Sequence, residues 1–120
     1  MAFKNTYFTC LDNTGVLKVK CVQVYFSNII KPGSLILITI KKVLPNKKVK
    51  KGQLYKAVVV RLVKNLNRFF SFNVQYFSNS VILLKKNELV PLGTRIFGSV
   101  YFELRLKGFM KIVSVSAFLF

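Results

Sequence analysis

Short runs of branched aliphatic residues, each closed off by turn residues or lysines, constrain this chain more than any other feature. Leu35-Ile36-Leu37-Ile38-Thr39-Ile40 lies between Pro32-Gly33 and Lys41-Lys42, and Ala57-Val58-Val59-Val60-Arg61-Leu62-Val63 follows Lys56. Such runs read as strands, because β-branched side chains pack well on a pleated surface and are stiff at χ1 in a helix. Val81-Ile82-Leu83-Leu84 reads as a further strand and Phe72–Phe77 as a weaker one. Between 18 and 24 the period is also two, with Val19, Cys21 and Gln23 alternating with Lys18, Lys20, Val22 and Val24. A run apolar on both faces is buried on both, or buried on one and covered by a partner on the other. Many short strands in about 100 residues favour a small closed or nearly closed barrel. Asp12-Asn13-Thr14-Gly15 and Asn65-Leu66-Asn67-Arg68 supply turns. Pro45 to Gly52 separates two long strands and reads as an extended basic hairpin arm. The helical signal is confined to the end. Tyr101–Leu106 holds good helix formers with Gly108 as a stop, while Lys111–Ala117 is compatible with a strand or a second short helix.

At 120 residues the chain is expected to be one domain, 1–120, with one core. Neither linker composition nor a repeat interrupts it. The longest apolar runs, Ser34–Ile40 and Ala57–Val60, are far short of the ~20 residues that span a bilayer. The N-terminus has neither a long apolar stretch nor an Arg-rich amphipathic presequence, so the chain is expected to be made where it works, or to lack any presequence it once had. Two cysteines and no histidine give no metal-ligand spacing, so no metal and no cofactor is expected. Cys10 and Cys21 read as small buried residues of early strands, with a disulfide left open.

Charge narrows the partner. Twenty Lys and Arg face three Asp and Glu, for a net charge of +17, in a chain that is 52% hydrophobic. Disordered basic tails are poor in hydrophobics, so this chain folds, and the folded state repels itself unless a polyanion or an anionic surface neutralises it. Nucleic acid is the first candidate and a membrane surface the second, although no amphipathic basic helix is visible. Catalysis is poorly supplied. Asp12 reads as a turn residue, Glu88 as a loop residue and Glu103 as a helix-start residue; no histidine can act as general base, and Gly93–Gly98 lacks the Lys-Ser/Thr of a phosphate loop. The basic residues singled out for RNA are Lys41, Lys42, Lys47, Lys48, Lys50 and Lys51, then Lys56, Arg61, Lys64 and Arg68, with Arg95 further on. Lysines hold phosphates without reading bases, which fits backbone and shape recognition of structured RNA. A charge run is more often a solvated face; here the near-absence of acids weakens that reading. Most of the seventeen aromatics are expected in the core.

Several segments in order resemble one family. Leu11-Asp12-Asn13-Thr14-Gly15 resembles its "ADNSG" turn, and Pro32-Gly33 through Thr39-Ile40-Lys41 its "GDxIxxxIK" strand. Val49-Lys50-Lys51-Gly52 and Lys56-Ala57-Val58-Val59-Val60-Arg61 resemble its "VKKG…KAVVVR". Pro91-Leu92-Gly93-Thr94-Arg95-Ile96-Phe97-Gly98 with Glu103-Leu104-Arg105 resembles "PxGTRIFGPVxxELR", and Phe109–Ser114 resembles "FxKIxSLA". On these motifs, from about residue 8 to 115, the chain is similar to the universal fourteenth protein of the large ribosomal subunit, in its bacterial or organellar form. It departs at Lys41-Lys42-Val43 (for "KEA"), Asn67–Ser71 (for a "DG" turn), Ser78-Asn79-Ser80 (for "DNA") and Gly98-Ser99-Val100 (for "GPV").

The resemblance implies a mainly β fold, a five-stranded barrel with a protruding basic β-hairpin and short C-terminal helices. It implies a structural constituent of the large subunit that binds large-subunit rRNA. It also implies contact with small-subunit rRNA at the subunit interface and with a neighbouring protein, the nineteenth of the large subunit. A docking face for the ribosome silencing factor would fall on Thr94, Arg95, Lys111 and Ser114. A free single-stranded nucleic-acid-binding barrel is the alternative. Phe, Tyr, Ile, Asn and Lys supply 50 residues and Gly, Ala, Arg and Pro only 16, the signature of an A/T-rich genome. A mitochondrial origin is therefore expected, with a plastid as the alternative.

Overall fold

The computed structural model describes residues 3–45, 49–64, 66–67, 73–86, 88–116 and 118–119. Five strands close a barrel: β1 (Tyr7–Cys10), β2 (Val16–Val24), β3 (Leu35–Val43), β4 (Leu54–Arg61) and β7 (Ser80–Leu83). Neighbours run antiparallel from β1 through β4 to β7, and a parallel pairing of β1 with β7 completes the ring. The period-two pattern fixes what points inward. Val19 and Cys21, then Ile36, Ile38 and Ile40, then Ala57 and Val59, then Val81 and Leu83 fill the interior with Phe8. Each fully buried Val, Leu, Ile or Phe contributes roughly 1.5–3 kcal/mol. In β2 the alternation breaks where the register against β3 shifts: Leu17 and Lys18 are exposed in succession, as a bulge requires.

A second core explains why β4 and β7 are apolar on both faces. Val58, Val60, Ile82 and Leu84 point outward and are covered by Ile96, Val100, Leu104 and Ile112 of the chain's own C-terminal segment. The covering elements are β8 (Ser99–Val100), α1 (Glu103–Leu106) and α2 (Met110–Val115). Helices of one to two turns do not stand alone in water. Leu104 and Ile112, both fully buried, pin them to the barrel. The stretch 111–117, compatible with strand or helix by sequence, is helical through Val115, and the chain turns extended at Ser116. β9 (Phe118–Leu119) then runs parallel to β8.

Three expectations change in detail. Most aromatics are expected in the core, but among those described only Phe8 and Tyr101 are fully buried, because branched Val, Ile and Leu already fill the narrow interior. The fifth barrel strand is β1, not Phe72–Phe77. Of that run only β6 (Asn73–Val74) is strand, and it pairs with β5 (Leu66–Asn67) in a two-stranded sheet outside the ring; Phe72 lies outside the described residues. Val74 and Tyr76 of that run pack against the interior core from outside the ring while Phe77 is exposed, whereas Phe8 of β1 points into the barrel. Between β3 and β4 the described part of the basic hairpin is loop rather than paired ribbon. Leu44 N–H donates to Gly15 O (2.9 Å), Gly52 N–H to Ile40 O (2.9 Å), and Val49 returns to the interior core. The apolar side chain of Val49 ties this loop back to the barrel.

Candidate nucleic-acid interface

The C-terminal segment sheathes one side of the barrel, and the outer face of β1, β2 and β3 bears the lysines. Register places Tyr7 opposite Lys20 and Thr9 opposite Lys18, and Lys18 in turn opposite Lys42. Lys18 Nζ sits 4.7 Å and Lys20 Nζ 5.6 Å from the Tyr7 ring centroid, a geometry in which the ring's negative face holds both ammonium groups. Like charges directly opposed across a ladder destabilise it. Lys18 and Lys42 are exposed and opposed in backbone register, and the Lys18 ammonium leans over Tyr7 on the β1 side. Lys18, Lys20 and Tyr7 are not among the residues singled out from sequence. The signal is present all the same, since lysines alternating with Val19 and Cys21 must share the outer face.

Nine of the eleven basic residues singled out fall into four groups. Lys41, Lys42, Lys50 and Lys51 are exposed on the end of β3 and the following loop. Lys56 is exposed on β4, 5.8 Å from the Tyr25 ring centroid, beside a groove lined by Leu37, Leu54, Tyr55 and Leu84 with Lys85 and Lys86. Lys64 lies just past β4, on the rim to which that strand leads. Lys47, Lys48 and Arg68 lie outside the described residues.

Arg61 is committed elsewhere. Its Nε donates to Ser99 O (2.8 Å) and its guanidinium NH2 group to Phe97 O (3.0 Å), while the guanidinium lies over Tyr76, 5.2 Å from the centroid. These bonds fasten the Phe97–Ser99 turn to the end of β4. Gly98 sits at φ +77, and a Cβ there would collide with that guanidinium, so the turn needs glycine on both counts.

The Asp12–Gly15 turn is a junction as well as a turn. Asp12 is buried and accepts from Thr14 N–H (3.3 Å), Thr14 Oγ1 (2.5 Å), Cys10 Sγ (3.1 Å) and, across the seam with the neighbouring β7, Leu83 N–H (3.4 Å). Asn13 reaches the other way. Its Oδ1 accepts from Thr94 N–H (2.9 Å) and Arg95 N–H (3.3 Å), and its Nδ2 donates to Thr94 Oγ1 (2.7 Å). Gly93 passes so close that a Cβ would lie 2.7 Å from Asn13 Oδ1. Thr94 and Arg95 are therefore exposed on a loop whose backbone is fixed from beneath. Lys111 and Ser114 are exposed three residues apart on α2, where Ser114 Oγ donates to Lys111 O (2.8 Å). Ile96 and Ile112 share the second core, so loop and helix flank one apolar cluster.

Both cysteines are free, Cys21 fully buried and Cys10 partly so. Burial pushes the Cys10 thiol up strongly, aided by the neighbouring Asp12 charge, and burial also raises Cys21. They are packing residues rather than nucleophiles. No group of three or more His, Cys, Asp or Glu could hold a metal among the described residues, and no helix there is long and apolar enough to cross a membrane.

Fold and surface together define a small basic β-barrel, sheathed on one side by its own C-terminus and rich in lysine on the other. The family model described as ribosomal protein L14p/L23e matches residues 1–120, and the chain belongs to that family. It is accordingly a ribosomal protein, a structural constituent of the large subunit.

Proposed function

We propose that this protein anchors to large-subunit rRNA through the lysine-bearing outer face of β1, β2 and β3 and the basic loop after β3. The lysines gathered on this face carry the reading: Lys18 and Lys42 are exposed neighbours in register, and Lys18 and Lys20 flank the Tyr7 ring, a cluster of cations that suits backbone phosphates. Lys41, Lys50, Lys51 and Lys56 extend the same positive surface, and Lys47 and Lys48 belong to the loop by sequence. Arg61 acts as an internal clamp in this reading and not as a phosphate ligand. Contacts to small-subunit rRNA across the interface and to the nineteenth protein of the large subunit complete the role. Thr94, Arg95, Lys111 and Ser114 form the face for the silencing factor, supported by the Asn13 bonds that rigidify the loop and by the shared apolar cluster beneath it. The residue usage of an A/T-rich genome favours the mitochondrial ribosome.

Gradient sedimentation of a lysate tests the assembly. The protein is expected to travel with the large subunit and to leave it at high salt or after RNA digestion; a protein that stays at the top under gentle conditions rejects the reading. With purified chain and an rRNA fragment, replacing Lys18, Lys20 and Lys42 by Gln is expected to flatten the salt dependence by up to ~0.9 log units for each phosphate no longer neutralised. An unchanged slope removes this face from the interface.

A further inference from the structure

The strand directions gather one set of residues at a single end of the barrel. β2 and β4 finish there, and β1, β3 and β7 begin there. The described segments of this rim, residues 3–6, 25–34, 62–64 and 75–79, contain neither Asp nor Glu. They contain three exposed phenylalanines, Phe3, Phe26 and Phe77, and three exposed lysines, Lys4, Lys31 and Lys64. Phe26 and Phe77 are wholly exposed, although phenylalanine is among the types most often buried.

Phe26 is also held at φ +66, in the left-handed region where a Cβ crowds the following carbonyl. An aromatic side chain that gains nothing from burial and costs backbone strain serves neither the core nor the turn. Glycine would serve the turn better. Strain retained at an exposed residue points to a use outside the fold.

We propose that this rim binds unpaired nucleotides of RNA, with Phe26 and Phe77 stacking on splayed bases and Lys31 and Lys64 holding the adjoining phosphates. Charge selects RNA over an apolar protein patch: the rim that carries the exposed rings also carries exposed lysines, and no acid lies in its described segments. Aromatic faces flanked by cations are what single-stranded sites use, whereas the flat lysine face of β1 to β3 suits backbone phosphates alone. The rim is a second site, and the proposal rests on the RNA-binding reading above.

The test uses the purified full-length chain, a labelled oligouridine and an RNA hairpin that is fully paired apart from its loop. Phe26→Gly and Phe77→Ser are each expected to weaken oligouridine binding by about 5- to 150-fold, the range of one base stack removed, with the salt slope unchanged. Lys31→Gln and Lys64→Gln are expected to flatten that slope by about 0.7 for each phosphate released. Phe26→Gly is also expected to raise the melting temperature of the free protein, which separates impaired binding from impaired folding. Oligouridine affinity unchanged in both phenylalanine variants, while the hairpin still binds, overturns the rim and spares the RNA-binding reading. Binding of neither RNA by the unaltered chain overturns both. Absence of the variants from the large subunit with oligouridine binding intact gives the rim to a protein neighbour and also overturns the proposal.

Discussion

Asp12 shows how much a single side chain can hold in a barrel this small. It satisfies the turn at Thr14 and the β7 amide of Leu83 at once. Asp12→Ala leaves those donors without their acceptor in a buried place and is expected to cost about 1–3 kcal/mol, measured as a shift in the denaturation midpoint. Asn13→Ala is expected to spare the barrel more but to free the loop that presents Thr94 and Arg95, read as faster amide exchange at those two residues. The cysteines give a chemical prediction. With both thiols shifted upward, the native protein is expected to react slowly with iodoacetamide at pH 8 and the unfolded chain rapidly. The sign for stability follows: above the ordinary thiol value of 9.0 the unfolded state sheds protons that the native state keeps, so stability falls as pH rises past it. At this scale the sequence is partly legible. Asp12-Asn13-Gly15 announces a turn, but its bonds to Leu83 and Thr94 span 71 and 81 residues, and no local pattern encodes such partners. Arg61 reads as an RNA ligand for the same reason: charge is visible in a sequence, whereas the carbonyls of Phe97 and Ser99 that absorb it are not.

Among the elements, β3, β4 and β7 are legible because their runs are long or branched enough to admit no other structure. β1 is not. Tyr7-Phe8-Thr9-Cys10 has only four residues, and its role as the closing strand depends on a parallel pairing with a segment about 70 residues away. The double-sided apolar character of β4 and β7 does announce a cover, but not that the chain brings its own. α1 and α2 are that cover. Ile112→Ala is therefore expected to cost about 2–5 kcal/mol despite its place in a helix of six residues, because it opens a void over Val58, Val60 and Ile82. Thermal melts of the free protein check it; a change within error would mean that the helix rests on the barrel without stabilising it.

For the whole molecule, a net charge of +17 sets the conditions under which the fold is most secure. Self-repulsion is long-ranged and screened by salt, with a Debye length of about 8 Å at physiological ionic strength. The melting temperature of the free protein is expected to rise with added NaCl, and to rise further with stoichiometric rRNA fragment at fixed salt. A melting temperature that falls with salt would show that attractive pairs outweigh the repulsion. The ring is closed by the first strand against the fifth, and its second core is completed only by residues beyond 100. During synthesis, then, β1 waits for most of the polypeptide before finding its parallel neighbour, and β4 emerges with one greasy side bare until Leu104 and Ile112 follow. Such non-local wiring folds slowly and leaves sticky surface in the meantime. The newborn chain has a vulnerable interval, and a chaperone or early docking on the growing ribosomal particle would shorten it.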